Sequence, residues 1–323
     1  MKKIIALVLV LTLALFAFAS CGNKDKGNNN DNNTPTEKTY TLSIGVAVST
    51  EEATVDNTVA VIVTDADGKI VLCRLDAISL AAEIANGEVV AKTYSSKAEL
   101  GKDYGMLTNS PYYGSSLAEW DDQAKAFESY VVGKTASDVS SIVVDADGKP
   151  TDAALTAGCT MGVSDFITAI NNAFSNNYKV TFKTSATFTA ATSVNASVSS
   201  EEGTVSYDAD FAGVVVANGT VISAIIDSTS VSAPIENDTV GAMTYAGSKL
   251  AQGDKYGMLT NSPYYGSSLA EWYSQAQAYA NTAIGKTVAD LNGLATEGVA
   301  GCTMPYSTYD FKAVLESAVK AAK

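Results

Sequence analysis

The chain has 323 residues, a formal net charge of −14 at pH 7 and no histidine. This length exceeds what one compact domain usually holds, so we expect two domains. The lack of imidazole excludes Ser-His-Asp and Cys-His nucleophiles and histidine-ligated metal sites. The excess of acidic residues disfavours a nucleic-acid partner, because phosphate backbones are bound by clustered Lys and Arg.

Residues 1–20 have the order of a secretory signal peptide. Two lysines precede an apolar run from Ile4 to Phe18, which is short for a stable membrane span. The run ends in Phe18-Ala19-Ser20-Cys21, which resembles the bacterial lipobox, so Cys21 is the predicted lipidation site. Residues 21–38 are predicted to form a flexible, Asn-rich tether. We expect the N-terminal lipid to anchor the protein to the cell membrane on its extracytoplasmic face, with an ordinary signal peptide as the alternative.

A segment of 17 residues occurs twice without change, from Tyr104 to Trp120 and from Tyr256 to Trp272. Weaker similarity continues on both sides of each segment. An internal duplication of this kind predicts two homologous domains. We place the first at residues 39–177 and the second at residues 178–323.

Each copy begins with apolar, β-branched runs that are separated by turn signals, notably Asp67-Gly68 and Asn218-Gly219. Such turns predict β-hairpins. The later part of each copy is predicted to be helical and to close with an amphipathic helix, at Asp165–Phe174 and Tyr309–Ala322. The predicted class is α+β: two tandem homologous domains, each a mostly antiparallel sheet covered by helices.

The helical part of each copy carries N-terminal capping signals. Ser116 to Glu119 and Ser268 to Glu271 read as capping boxes that begin a central helix. In the first copy, apolar residues follow at helical spacing until Gly133: Leu117, Trp120, Ala124, Phe127 and Val131. Thr135 and Thr287, each three residues before an aspartate, predict a further short helix.

The repeated segment is the first candidate binding site. It leads from a loop into a helix, where free N–H groups and the helix dipole suit a phosphate, and paired tyrosines can stack on a flat ring. The predicted binding residues are Tyr112, Tyr113, Ser115, Ser116, Tyr264, Tyr265, Ser267 and Ser268. The alternative is a turn whose serines cap the helix and whose tyrosines close the core.

The second candidate is the element Ala-Gly-Cys-Thr-Met, which ends at Met161 in one copy and at Met304 in the other. With the strand-rich half and the central helix, it resembles the FMN-binding domain, whose motif is an acid, two variable residues, Ser or Thr, Gly, Ala, then Ser or Thr. The second copy keeps Glu297 and Thr303 but has Ala300 and Cys302 at two motif positions. The first copy also lacks the acid.

The resemblance implies a function and a set of site residues. In that family a separate flavin transferase joins FMN to the last hydroxyl through a phosphoester. Thr160 and Thr303 are the implied acceptors, and Gly158 and Gly301 would give each turn its backbone freedom. The resemblance implies FMN as the cofactor, bound covalently or non-covalently, and the transferase and a redox protein as partners.

The remaining cysteines and the repeated Asp-Ala-Asp-Gly-Lys are interpreted structurally. Cys73, Cys159 and Cys302 form an odd set once Cys21 is lipidated, so buried free thiols are favoured over a Cys159–Cys302 disulfide. Residues 65–69 and 145–149 fit hairpin turns better than calcium loops, because the other calcium ligands are missing.

The sequence therefore favours an exported, lipid-anchored FMN-binding protein that carries electrons at the cell surface, rather than a turnover enzyme. Two alternatives stay open. One is a surface lipoprotein of the same fold without a cofactor, acting in structure or recognition. The other is the solute receptor of a transporter, which is less favoured because the halves are serial duplicates rather than interleaved lobes.

Overall fold

Long antiparallel strands begin each half of the chain. The computed structural model describes residues 36–109, 117–260, 269–304 and 307–322. The strands are β1 (Lys38–Glu51), β2 (Thr54–Thr64), β3 (Ile70–Ala81), β4 (Ile84–Ala85), β5 (Glu88–Val89), β6 (Val180–Thr184), β7 (Phe188–Glu201), β8 (Thr204–Ala217), β9 (Thr220–Glu236), β10 (Thr239–Val240) and β11 (Thr244–Tyr245).

The strands form two larger sheets and one small hairpin. The first sheet has the order β3-β2-β1-β6, and the second has the order β10-β9-β8-β7, with β11 also paired to β9. All of these pairs are antiparallel, and β4 and β5 pair only with each other. Strand β6 follows residue 177 yet pairs with β1, from Val180 opposite Leu42 to Thr184 opposite Lys38. The first sheet therefore extends past the sequence-based boundary between the copies.

Helices follow the three long strands in each half. They are α1 (Lys97–Leu100), α2 (Trp120–Val131), α3 (Ala136–Ser140), α4 (Ala153–Thr156), α5 (Ser164–Ser175), α6 (Lys249–Gln252), α7 (Trp272–Asn281), α8 (Val288–Leu291) and α9 (Ser307–Ala321). The closing helices α5 and α9 agree with the sequence prediction to within two residues. The predicted capping boxes at Thr135–Asp138 and Thr287–Asp290 are also present.

The two sheets pack face to face, and the helices cover their outer faces. One apolar core joins inward side chains of both halves, for example Val61 in β2 and Val214 in β8. At Gly213 the sheets approach so closely that a Cβ atom would lie 2.8 Å from Val61 Cγ2. Helices α5 and α9 lie on β1–β2 and β7–β8, whereas α2 and α7 lie on β3 and β9. The predicted α+β class, with antiparallel sheets covered by helices, is confirmed.

Burial on both faces explains the near-continuous apolar sequence of the central strands. Residues Val59 to Val63 of β2 are all fully buried, because one face meets the second sheet and the other meets helices. Strand β3 contacts β7, and β1 contacts β9. These two junctions between the sheets are named here the β3/β7 seam and the β1/β9 seam.

The predicted turns have the expected chemistry. Asn218 and Gly219 both have positive φ angles, 51° and 78°, between β8 and β9. Asp65 caps the turn before β3, since its Oδ1 accepts from the backbone N–H groups of Asp67 and Lys69. Asp145 does the same at residues 145–149. Both Asp-Ala-Asp-Gly-Lys segments are therefore hairpin turns.

The start of the central helix differs from the prediction. Helix α2 begins at Trp120 with Glu119 as its N-cap, and Leu117 lies before the helix with 47 % of its surface exposed. The spacing of Trp120, Ala124, Phe127 and Val131 is confirmed, since all four are buried. The prediction that Leu117 belongs to this helix is wrong. Glu119 is the N-cap rather than the third residue of the helix, and its carboxylate accepts from the backbone N–H of Met106. Ser116 and Ser268 lie outside the described residues.

Among the described residues, no helix combines the length and the apolar character that a membrane crossing requires.

Candidate functional site

A buried glutamine organises the Gly-Cys-Thr turn of the first half. Gln123 lies on α2 with no exposed surface, and its Nε2 donates to the carbonyl oxygen of Ala118 at 2.9 Å. Its Oε1 accepts from the backbone N–H of Thr160 at 2.9 Å and from the Thr160 hydroxyl at 3.3 Å. The turn is thus fixed to the central helix by one amide side chain.

The second half repeats this arrangement. Gln275 on α7 is equally buried and donates to the carbonyl oxygen of Ala270 at 2.8 Å. Its Oε1 accepts from the backbone N–H of Thr303 at 2.8 Å and from the Thr303 hydroxyl at 3.1 Å. Two segments more than 25 residues apart are joined in the same way in both halves, which marks these glutamines as part of the fold's internal repeat.

The two threonines differ in exposure. Thr160 is half-buried, whereas Thr303 is exposed. Gly301 has a φ of 82°, a left-handed conformation that favours glycine, and a Cβ atom there would lie 3.0 Å from Ala278 Cβ. The φ angle of Gly158 is not in that region, but a Cβ atom at Gly158 would lie 2.8 Å from Ala126 Cβ. Both turns need glycine in order to lie close to their central helix.

A shallow cavity of about 350 Å³ lies beside Thr303. Its wall is formed by the turn itself, including Glu297, Gly298 and Cys302. This volume is at the low end of the range for small-molecule sites. Glu297 and Thr303 thus line the same cavity.

The cysteines before the two threonines are buried thiols. Burial raises the pKa of Cys159 to about 11, and it also raises the pKa of Cys302. Both therefore remain protonated at neutral pH and are poor nucleophiles. Cys73, Cys159 and Cys302 are free, so the prediction that Cys159 and Cys302 do not pair is confirmed.

The described ends of each repeated segment are held by a buried glutamate. Glu119 accepts from the backbone N–H groups of Met106 at 2.7 Å and Leu107 at 3.2 Å. Glu271 does the same for Met258 at 2.8 Å and Leu259 at 3.2 Å. The sequence predicted that these glutamates form capping boxes with Ser116 and Ser268, whereas the structure shows them binding the backbone at the start of each repeated segment.

In each half, a lysine lies over aromatic rings at the ends of the repeated segment. Lys97 Nζ is 5.4 Å from the ring centre of Tyr104, and Lys249 Nζ is 5.4 Å from that of Trp272. A cation within about 6 Å of an aromatic face is attracted by the ring. The lysines therefore stabilise the packing of α1 and α6 against the repeated segment.

Several predicted site residues cannot be placed. The paired tyrosines and serines of both loops, Tyr112, Tyr113, Ser115, Ser116, Tyr264, Tyr265, Ser267 and Ser268, lie outside the described residues, as does Cys21. Their predicted roles in binding and lipidation stay predictions. Of the predicted site, the structure brings together Gly158 with Thr160, and Gly301 with Thr303.

The glutamines are the site residues that sequence reasoning missed. Gln123 and Gln275 each follow a repeated tryptophan by three residues, on the face of the helix that the apolar pattern assigns to the core. A polar residue in the same core position of both copies was the available signal. Comparisons of the chain with protein-family models, with curated proteins and with solved structures gave no match.

Proposed function

We propose that the protein is an exported, lipid-anchored carrier of FMN, with Thr303 as the site of attachment, that passes electrons at the cell surface. The observation that carries this proposal is the exposed Thr303 on a glycine turn beside the 350 Å³ cavity. Thr160 is half-buried, and its copy lacks the acid of the motif. The second half is therefore the better substrate for a transferase.

The attachment is an ester formation that needs an activated donor. Thr303 would supply the oxygen that bonds to the flavin phosphorus, the pyrophosphate bond of a flavin dinucleotide donor would break with a nucleoside monophosphate leaving, and the hydroxyl proton would pass to a base of the transferase. The Thr303 hydroxyl must first give up its hydrogen bond to Gln275, whose Oε1 keeps the backbone N–H as a donor. The turn can thus stay in place while its side chain reacts.

The protein's own contribution would be position and environment. FMN supplies reversible electron transfer when it is bound, and the chain would fix its phosphate at the Gly301 turn. Glu297 would place a negative charge in the same cavity and disfavour reduction of the ring, because reduction adds electron density beside that charge.

A second candidate function is a scaffold without a cofactor that acts in structure or recognition. It is favoured by the matching contacts of Gln123 and Gln275, which give each threonine a role in the fold that needs no ligand. On this view the paired turns are retained because they lock α2 and α7 to the ends of their domains.

The test is expression of the exported protein together with a flavin transferase, followed by mass spectrometry of its peptides. We expect one FMN on the peptide that contains Thr303, loss of the label in Thr303→Ala and retention of the label in Thr303→Ser. The matched variant Thr160→Ala should keep the label. A colourless, unmodified wild-type protein would favour the scaffold, and a label that survives Thr303→Ala would show that the acceptor is a different residue.

A further inference from the structure

The β1/β9 seam contains a cavity of about 380 Å³ between the two halves. Strand β1 pairs with β6 only as far as Leu42, so the next part of β1 has no strand on that side. Side chains from the end of α5 cover this edge instead: Asn176 Nδ2 donates to the carbonyl oxygen of Ile44 at 3.0 Å, and Asn172 Nδ2 donates to that of Val46 at 2.8 Å. The two asparagines satisfy these carbonyl groups of β1 but do not fill the space beside the strand, and the cavity occupies that space.

A buried carboxylate faces this cavity from the second half. Asp227 lines the cavity and is only 1 % exposed. Its Oδ1 accepts from the backbone N–H groups of Ser228 at 2.8 Å and Leu250 at 3.0 Å. Its Oδ2 is buried and has no hydrogen-bond partner among the described residues. Leaving a buried carboxylate oxygen unpaired is costly, so a donor placed at Oδ2 would be favourable.

Asp76, the counterpart of Asp227 in the first half, has hydrogen-bond partners for both carboxylate oxygens. Asp76 Oδ1 accepts from the backbone N–H groups of Ala77 at 2.7 Å and Ala98 at 3.0 Å, as Asp227 Oδ1 does from its equivalents. Asp76 Oδ2, however, accepts from the Ser96 hydroxyl at 2.6 Å. Ser248, the equivalent of Ser96, is close enough to Asp227 to lower its pKa as a hydrogen-bond donor, but unlike Ser96 it makes no hydrogen bond of normal geometry to Oδ2.

The rest of the cavity defines the chemistry of its occupant. Asp227 is the only charged residue among the described residues that line it, and the other walls include the apolar side chains of Ile44 and Leu250 and the ring of Tyr245. Burial raises the pKa of Asp227 to about 6, and nearby Lys249 lowers it, so the carboxylate is charged at pH 7.5. Polar side chains such as Thr168, Ser175 and Asn177 also line the cavity, but Asp227 gives it a negative charge beside an apolar and aromatic wall, and a cationic donor complements that combination.

We propose that the β1/β9 seam is a binding site for a small organic cation, a primary ammonium group on an apolar body, which pairs with Asp227 Oδ2. The ammonium group has three donors and one charge, which match the unfilled carboxylate oxygen. Its apolar body would lie against Ile44, Leu250 and the Tyr245 ring. This site is separate from the Thr303 turn and does not depend on a flavin.

Calorimetric titration of the full exported chain at pH 7.5 tests the proposal, with benzylamine and 1,5-diaminopentane as probes and benzyl alcohol as the neutral counterpart of the first. We expect saturable binding of at least one amine and weaker binding of the alcohol by about tenfold or more, which corresponds to about 1.4 kcal/mol. Asp227→Asn should weaken amine binding by about the same factor. The matched variant Asp76→Asn should leave it unchanged.

A steric variant keeps the test decisive if Asp227→Asn does not fold. Ala251 is exposed and lines the cavity, so Ala251→Trp should block the site without removing a core residue. The proposal is overturned if neither amine binds, if benzyl alcohol binds as well as benzylamine, or if Ala251→Trp leaves the affinity unchanged. Equal losses in Asp76→Asn and Asp227→Asn would also overturn it, since they would show a general effect on the fold.

Discussion

Single buried polar residues fix the Gly-Cys-Thr turns, and their chemistry shows why glutamine is needed. One side chain satisfies a backbone carbonyl on one side and two donors of a threonine on the other, at Gln123 and again at Gln275. A leucine of similar size could make none of these hydrogen bonds. The stability of the turn therefore depends on the amide more than on the threonine hydroxyl.

We predict that Gln275→Leu lowers the free energy of unfolding by about 2–4 kcal/mol, because it removes the hydrogen bonds to the Ala270 carbonyl and to Thr303 and places an apolar side chain among those polar groups. Thr303→Val, the control, removes only the exposed hydroxyl and should cost about 1 kcal/mol. Urea denaturation followed by circular dichroism measures both. Equal costs for the two variants would contradict the assigned role of Gln275.

At the level of elements, the two seams between the sheets are held differently. At the β3/β7 seam, Arg74 Nε donates to the carbonyl oxygen of Ala190 at 2.9 Å, and its guanidinium lies 3.4 Å from Glu128 Oε2. Glu128 in turn accepts from the backbone N–H of Leu75 at 2.7 Å. Burial raises the pKa of Glu128 to about 7 even though Arg74 lowers it. One arginine thus links β3, β7 and α2.

We predict that Arg74→Met destabilises the protein by about 1–3 kcal/mol at pH 8, since it leaves the Glu128 carboxylate buried without its cation. The loss should be smaller at pH 5, where Glu128 is protonated. Adding Glu128→Gln should recover part of the stability at pH 8. Urea unfolding of the two single variants and the double variant at both pH values measures the coupling, and a loss that does not change with pH would contradict this account.

The fold could be predicted from sequence where local chemistry decides the structure. The turn at Asn218-Gly219 and the capping box at Thr135 depend on residues within a few positions, and both are present. Contacts between distant segments could not be predicted in this way. The pairing of β6 with β1, and the contact from Gln123 to Thr160, depend on where the chain returns in three dimensions. The start of the central helix also depends on such a contact, from Glu119 to Met106, so the sequence pattern predicts a helix that includes Leu117 whereas the helix begins at Trp120.

For the whole molecule, buried carboxyl groups make stability depend on pH in an unusual direction. Burial raises the pKa to about 6 for Asp76, Asp210 and Asp227, and to about 7 for Glu128. A carboxyl group with a raised pKa binds its proton more tightly in the folded state than in the unfolded state. The stability that it contributes is complete below the unfolded pKa, near 4, and is lost as the pH rises through 6 to 7.

We therefore predict that the free energy of unfolding is higher at pH 5 than at pH 7.5, by about 1 kcal/mol for each of these groups. Guanidinium denaturation at the two pH values measures the difference. The double variant Asp76→Asn with Asp227→Asn should show a smaller dependence on pH, which separates these groups from the general effect of a net charge of −14. A wild-type protein whose midpoint guanidinium concentration is lower at pH 5 than at pH 7.5 would contradict the prediction.

The shared interior of the two sheets has a consequence for how such a chain can arise. Strand β1 of the first half contacts β9 of the second, and β3 of the first contacts β7 of the second, so the same two strands of each half make reciprocal contacts. This is the geometry that two identical chains adopt in an isologous homodimer. When the two copies are joined in one polypeptide, each junction can change in sequence independently of the other. Arg74 and Glu128 form an ion pair at the β3/β7 seam, whereas Asp227 lies beside a cavity at the β1/β9 seam.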